Sequence, residues 1–323
     1  MISLRYHIVS LVAVFLALAL GIVVGSTLLR EGTVSVLRAT SEQVRQNNER
    51  YREENLALQQ EKARLQDFSA TVLPDLVRGR LKGRPVVLLD TDKVDGGVRE
   101  LVTQVLGTAG AEVDGRVTFN AGRLVLSAEG DRQALGRLLP GANAADPGTL
   151  RTELVRRVGE RLGASDPLPT EDPDRKNDLL TSLDDGGFLA DLKLAAPVAD
   201  GGVPFPRPGS VVVVLGPTDG VALPPEAFLI PLADQVSLHV AGPVAGVEAL
   251  AAGTTPGTTS WIRKLREDRL VTRRVSGIDD VDTAYGQLAL VGALERGLRN
   301  LASGQYGSKP GNSGLLPEKV PAS

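Results

Sequence analysis

Three carboxylates fall within six residues in Asp90-Thr91-Asp92-Lys93-Val94-Asp95-Gly96-Gly97, directly after the apolar run Pro85-Val86-Val87-Leu88-Leu89. Carboxylate oxygens at that density suit Mg²⁺ or Ca²⁺, and open α/β sheets bind ligands at the carboxyl ends of their strands. The same residue types also make an ordinary strand-to-helix turn in which Asp95 caps the next helix, and the turn is the favoured reading. A second acidic group, Asp279-Asp280-Val281-Asp282, precedes a long amphipathic stretch. Asp280 or Asp282 there is read as a helix cap that complements the dipole, ahead of any ligand role. The two histidines are His7, beside a long apolar run, and His239, within a run read as a strand and expected to be packed. There is no cysteine, which removes thiolate metal sites, disulfides and a cysteine nucleophile. No G-x-S-x-G, G-x-G-x-x-G or G-x-x-x-x-G-K-[ST] pattern occurs, so neither a nucleophile elbow nor a phosphate cradle is present. The chain is therefore read as not an enzyme, with no catalytic, cofactor-binding or metal residues and no cofactor.

Composition narrows the classes further. A net charge of -3, with six Phe, four Tyr and one Trp in 323 residues, gives no electrostatic or stacking support for nucleic-acid binding.

The element that organises the rest is residues 8–29, a run without charge or proline. At about 1.5 Å per residue it covers roughly 33 Å, enough to cross a hydrocarbon core of about 30 Å. A cleaved signal peptide has a shorter apolar region and a small-residue cleavage site; neither fits, and an uncleaved anchor is favoured. Arg5 precedes the run while Arg30 is offset by Glu31, which places the N-terminus in the cytoplasm and the remainder of the single-pass chain outside. Ala13, Ala17, Gly21 and Gly25 recur every fourth residue and form a small-residue face of the kind through which membrane helices dimerise. From residue 33 to 68 there is neither Pro nor Gly, and Leu37, Val44, Tyr51, Leu58 and Leu65 repeat every seven. Asn48 and Asn55 fall at the complementary a positions, so the segment is read as a parallel coiled-coil stalk in which asparagine sets register, and the protein as a homodimer through anchor and stalk.

Beyond Pro74 and a basic loop at residues 79–84, strand-like and helix-like runs alternate. Strands are expected at residues 85–90, 111–119, 210–216, 236–241 and 271–275. Helices are expected at 97–106, 135–139, 150–162, 179–194 (interrupted at Gly186-Gly187), 225–236 (kinked at Pro231), 260–266 and 282–302. Residues 166–178 and 197–208 read as loops. The alternation implies an α/β class: an N-terminal transmembrane helix and coiled-coil stalk followed by a doubly wound, mostly parallel α/β domain. The expected divisions are 1–30 anchor, 31–70 stalk, 71–303 extracytoplasmic domain and 304–323 flexible tail.

Both ends of the chain also carry a resemblance. The opening Met1-Ile2-Ser3-Leu4-Arg5-Tyr6-His7 with the apolar run to Gly25, and the closing Asp279-Asp280-Val281-Asp282-Thr283, Gly286-Gln287 and Gly304-Gln305-Tyr306-Gly307, resemble the actinobacterial MctB family, named for mycobacterial copper transport protein B. Two departures are visible: the family pattern Ser-Thr-Val-Asp stands here as Ser276-Gly277-Ile278-Asp279, and Gln305 occupies a position where the family tends to have histidine. The resemblance implies the same order of anchor, coiled coil and α/β domain, and a role in copper homeostasis or efflux. Related proteins described as SteB imply an alternative: a scaffold working with a SteA-like membrane protein in cell division and control of wall hydrolysis. Copper(I) selects thiolate and thioether and copper(II) imidazole; with no Cys, Met1 as the one methionine and two histidines, the residues do not support direct ligation.

Overall fold

In the computed structural model, the described residues are 4–143, 145–166, 178–194, 204–218, 223–249 and 260–318, with side chains from residue 6 to 25 and from residue 40 onward. Residues Met1–Phe68 and Ser69–Ser323 form two separate units. Helix α1, Leu4–Val77, contains an apolar segment, Tyr6–Gly25, long and apolar enough to cross a membrane. It runs on through Pro74 rather than ending there. A proline costs a helix one backbone hydrogen bond, and burial of Val77 and partial burial of Leu73 in the domain core offset that cost.

Strand β1, Pro85–Thr91, leads through α2, Gly96–Thr108, to β2, Glu112–Phe119. Short α3, Ala121–Leu124, and then α4, Glu129–Leu138, α5, Pro147–Ala164, and α6, Leu179–Asp185, precede β3, Leu189–Leu194. The second half contains β4, Val211–Leu215; α7, Leu229–His239; β5, Val244–Glu248; α8, Trp261–Glu267; β6, Val275–Asp279; α9, Ala284–Leu298; and β7, Gln305–Tyr306. Seven strands form one sheet in the order β3-β2-β1-β4-β5-β6-β7, parallel throughout except for the β2–β3 pair.

Alternate residues of a strand face opposite sides, and the continuous runs at β1 and β4 divide accordingly. Val87, Leu89, Val212 and Val214 enter a core with α5, α7 and α8, whereas Val86, Leu88, Val211 and Val213 face α2 and α9. Both sheet faces are thus covered, which is why these strands have no polar alternation.

Several segments differ from expectation. Gly186 and Gly187 stop α6 rather than interrupt it: Gly187 takes φ +71 and the Phe188 N–H bonds the Leu183 carbonyl. A left-handed glycine at a helix end is a common stop, and the residues after it form antiparallel β3, tied to β2 by the Arg116–Asp191 pair. The run expected as a strand at 236–241 ends α7 instead, because Leu232, Ala233 and Val236 bury one helical face while Leu238 lies half exposed. The strand comes after Gly242-Pro243, as β5. Pro231 lies in the first turn of α7, where a helix has no partner for its N–H and no kink follows. The Val271–Arg273 segment is a 3-10 turn, and β6 starts at Val275, four residues later than expected. Helix α9 is capped by Thr283, not by Asp280 or Asp282. Gly304 to Glu318, expected as part of a loose tail, pack into the domain and supply edge strand β7. The loops expected at 166–178 and 197–208 lie largely outside the described residues.

Close packing at the end of β4 gives a direct test. A Cβ on Gly216 would stand 1.9 Å from Nε1 of Trp261, a wholly buried ring that donates to the Val247 carbonyl. Gly216→Ala should destabilise the domain by roughly 1–3 kcal/mol; an unchanged urea midpoint by circular dichroism would contradict this packing.

Candidate functional site

Chemistry-bearing side chains concentrate at the carboxyl ends of β1, β5 and β6, where Asp90, Glu248, Asp279 and Asp280 are all buried. Each has a local reason to be there. Asp90 ends β1 against Arg99 of α2, whose Nε donates at 2.5 Å and whose Nη2 also reaches the Val94 carbonyl. Burial pushes the Asp90 carboxyl above its ordinary value, and Arg99 acts against that shift. The neighbouring carboxylates diverge. Asp92 Oδ1 accepts from the Ala121 N–H at 2.9 Å, and Asp95 Oδ1 caps α2 through Gly97 and Val98 at 2.8 and 3.2 Å. Thr218, beyond β4, ties the loop down by accepting the Asp95 N–H at 2.8 Å. The three carboxylates therefore serve three separate structural contacts. Among the described residues no three His, Cys, Asp or Glu side chains converge on a metal position.

The ends of β5 and β6 carry a denser assembly. Arg266 of α8 pairs with Asp279 at 2.6 Å, both side chains almost completely buried. The same guanidinium donates to the Tyr306 carbonyl at 2.8 Å and the Lys309 carbonyl at 2.9 Å. Asp279 in turn accepts the Ser308 N–H at 2.7 Å, and Asp280 Oδ2 accepts it at 2.9 Å. Lys309 Nζ reaches Glu248 Oε1 at 2.8 Å. That carboxylate also accepts from Ser260 Oγ, which caps α8 through the Arg263 N–H. Burial raises the Glu248 carboxyl above its ordinary value and Lys309 opposes the rise; Asp280 is raised by burial first and by neighbouring Asp279 second.

Glycines make the closure possible. Gly307, at φ +124, leaves no room for a Cβ, which would stand 1.9 Å from Asp279 Oδ1; a Cβ on Gly304 would meet the Tyr306 hydroxyl at 2.1 Å. Gly286 lets α9 pass the Asp280 carbonyl, 1.9 Å from where a Cβ would be. Arg266, Lys309, Glu248 and Ser260 were not singled out from sequence. The legible signal was the Gly304-Gln305-Tyr306-Gly307 run, whose spacing of glycines around a buried tyrosine marks a tightly constrained segment.

The remaining predicted positions are open. Ala13, Ala17 and Gly21 are exposed along α1, and nothing lies within 4 Å of a Cβ built on Gly21 or Gly25. Val44, Asn48, Tyr51, Asn55, Leu58 and Leu65 are likewise exposed, and Asn55 Nδ2 donates back to the Tyr51 carbonyl at 2.7 Å. The Leu37 side chain lies outside the described ones. His239 is the exposed last residue of α7, not a packed strand residue, and His7 is exposed on α1. An open groove of 770 Å³ beside α5 and α7, with Arg156, Asp234, Lys264 and Leu270 in its walls, mixes both charge signs and converges on no reacting group.

The strand-end assembly and the N-terminal helix lie together within one family match: a model described as copper transport outer membrane protein, MctB, matches residues 1–317. The chain belongs to the MctB family. It is 26% identical over 329 residues to a protein named copper transporter MctB from Mycobacterium tuberculosis, covering 96% of this chain and 98% of the relative. The corresponding protein from Mycobacterium leprae is 31% identical over 327 residues, 95% and 96% of the two chains. The match to residue 317 takes in the whole closing segment. The described donors of this MctB family member do not fit a copper site, since the buried carboxylates are spent on Arg99, Arg266, Lys309 and backbone N–H groups.

The Asp279–Asp280 pair predicts a pH effect. A carboxyl raised in the folded state contributes its full stability below its ordinary value near 3.8 and loses it as pH rises through the folded value. Asp280→Asn keeps an acceptor for Ser308, removes the like charge and tolerates the φ of +79 that Asp280 adopts. The variant should melt higher than wild type near pH 7, and the difference should close near pH 3; a constant offset would refute this assignment.

Proposed function

We propose that this protein is a non-enzymatic, single-pass envelope protein that takes part in copper homeostasis without itself ligating copper. The observation that carries the reading is the family match over nearly the whole chain combined with a donor set that lacks copper chemistry. The relatives' printed names give the association with copper. The exposed, separated histidines and the structurally committed carboxylates support an indirect role, exerted through contacts with another membrane protein. The N-terminus is cytoplasmic and the α/β domain extracytoplasmic, on the charge asymmetry of Arg5 against Arg30-Glu31. Residues 1–30 act as anchor, 31–70 as coiled-coil stalk and 71 onward as the domain, whose reversal of strand order at β1 supports the doubly wound reading.

The stalk and anchor hold two copies together. Val44, Tyr51, Leu58 and Leu65 are each more than half exposed, an apolar row that supports a partner helix along the d positions. The open Ala13, Ala17, Gly21 and Gly25 face supports close approach of two anchors.

Two measurements test these readings. In a deletion strain sensitive to copper, a His7→Ala/His239→Ala chain should restore tolerance as fully as wild type, and equilibrium dialysis of the full chain should show no stoichiometric submicromolar copper. Loss of rescue, or a tight site, would sink the indirect role. Separately, Gly21→Leu/Gly25→Leu should weaken self-association in a membrane reporter while insertion is retained; unchanged association would reduce α1 to an anchor.

A further inference from the structure

The loop joining α1 to β1, Arg78-Gly79-Arg80-Leu81-Lys82-Gly83-Arg84, has a cation at every second position. The chain as a whole carries -3, so the remainder, without these four cations, carries -7. The concentration is held in a built loop. Leu81 is wholly buried, and its N–H donates to the Ala109 carbonyl at 2.9 Å. The Gly83 N–H donates to Gly110 at 2.8 Å, and the Arg84 carbonyl accepts from Glu112 at 2.9 Å. Gly79 and Gly83 take φ +75 and +67, so the turns need glycine and the cations between them are thrown outward.

The four cations are not equivalent. Arg80 is engaged by Glu295 of α9 at 3.4 Å. Arg78 meets Asp75 at 3.2 Å, but both side chains are more than two-thirds exposed, and such a pair is screened and weak. Lys82 and Arg84 are exposed and have no carboxylate within ion-pair distance among the described residues. Glu112, which follows Arg84 in the backbone network, is taken by Arg207 at 2.9 Å.

We propose that Arg78, Lys82 and Arg84 form a docking surface for a linear, base-free polyphosphate-type polyanion. None of the described pockets is lined by the loop, and its backbone N–H groups at 78, 80, 82 and 84 are spent on the carbonyls of Pro74, Val77, Gly79 and Leu81. No single small anion is therefore surrounded, and contact with all three cations needs a ligand whose charges repeat along a chain. Phosphodiester-type groups stay ionised throughout the neutral range and match the guanidinium fork of Arg78 and Arg84.

The test uses the full chain in neutral detergent, titrated with long-chain inorganic polyphosphate at several salt concentrations. Three neutralised cations give a log–log salt slope of about -2, at roughly 0.7 per contact on a flexible strand. Lys82→Gln and Arg84→Gln should each flatten that slope by about 0.7. The Arg78→Gln/Lys82→Gln/Arg84→Gln chain should bind at least about tenfold more weakly with an unchanged melting temperature, since all three side chains are exposed. Unaltered binding by these variants, no binding at low salt, equal competition by orthophosphate, or binding to polyglutamate or phosphatidylglycerol vesicles in place of polyphosphate would each overturn the proposal.

Discussion

The carboxyl half of the domain depends on one buried ion pair, Arg266 with Asp279. Desolvating two charges costs several kcal/mol per ion, and the attraction offsets that cost only when the remaining donors and acceptors are satisfied. Here one short segment supplies most of them: the Tyr306 and Lys309 carbonyls take both terminal nitrogens of the guanidinium, the Ser308 N–H bonds the carboxylate, and only the Arg266 Nε–H is left without a partner among the described residues. The pair and the closing segment are therefore mutually required. Without residues 304–309 the charges would be stranded at the end of β6, and without the pair β7 would have only two residues to hold it on the sheet. Gly304 and Gly307 belong to the same constraint, because the segment must approach Asp279 more closely than a Cβ permits.

That constraint also fixes what the strand ends can do. In an open α/β sheet the carboxyl ends of the strands are where ligands usually gather. Here Lys309 and the backbone of 305–309 lie over the ends of β5 and β6, and the turn after β1 is bound to Thr218. Asp90, Asp279 and Glu248 face cations the chain itself supplies, and Asp95 and Asp280 accept backbone N–H groups. A region with the composition of a site has been spent on architecture.

The sequence was legible where one physical effect dominated. β1 and β4 are runs of Val and Leu buried on both faces, and Asp95 had a helix start to cap, so these were read correctly. Misreadings occurred where two periodicities competed. Val236, Leu238 and Val240 alternate as a strand does, but Leu232, Ala233 and Val236 share a helical face, and packing against α5 decided for the helix. β3 was hidden because its apolar residues were counted as the continuation of α6 across two glycines. The tail was misjudged from its Gly and Pro content, since composition cannot reveal that glycines are present to admit close contact rather than freedom. Arg266 and Lys309 gave no local signal at all: their partners lie 13 and 61 residues away, and only the folded sheet brings them together.

The same accounting bears on how an MctB family member with this sequence relates to copper. Transport through the membrane segment would need groups able to replace the ligands of the ion, and thiolate, thioether or imidazole are the ones copper selects. Between residues 8 and 25 the only polar side chain is the hydroxyl of Ser10. Assembling more copies of α1 multiplies that one hydroxyl and, at the edge of the Tyr6–Gly25 segment, the single imidazole of His7, with no second copper-type donor inside the span. Intramembrane ion pathways are marked by polar or ionisable residues facing the bundle interior, and this segment instead presents alanine and glycine. Alanine and glycine offer no atoms that could replace the hydration shell or the ligands of a copper ion.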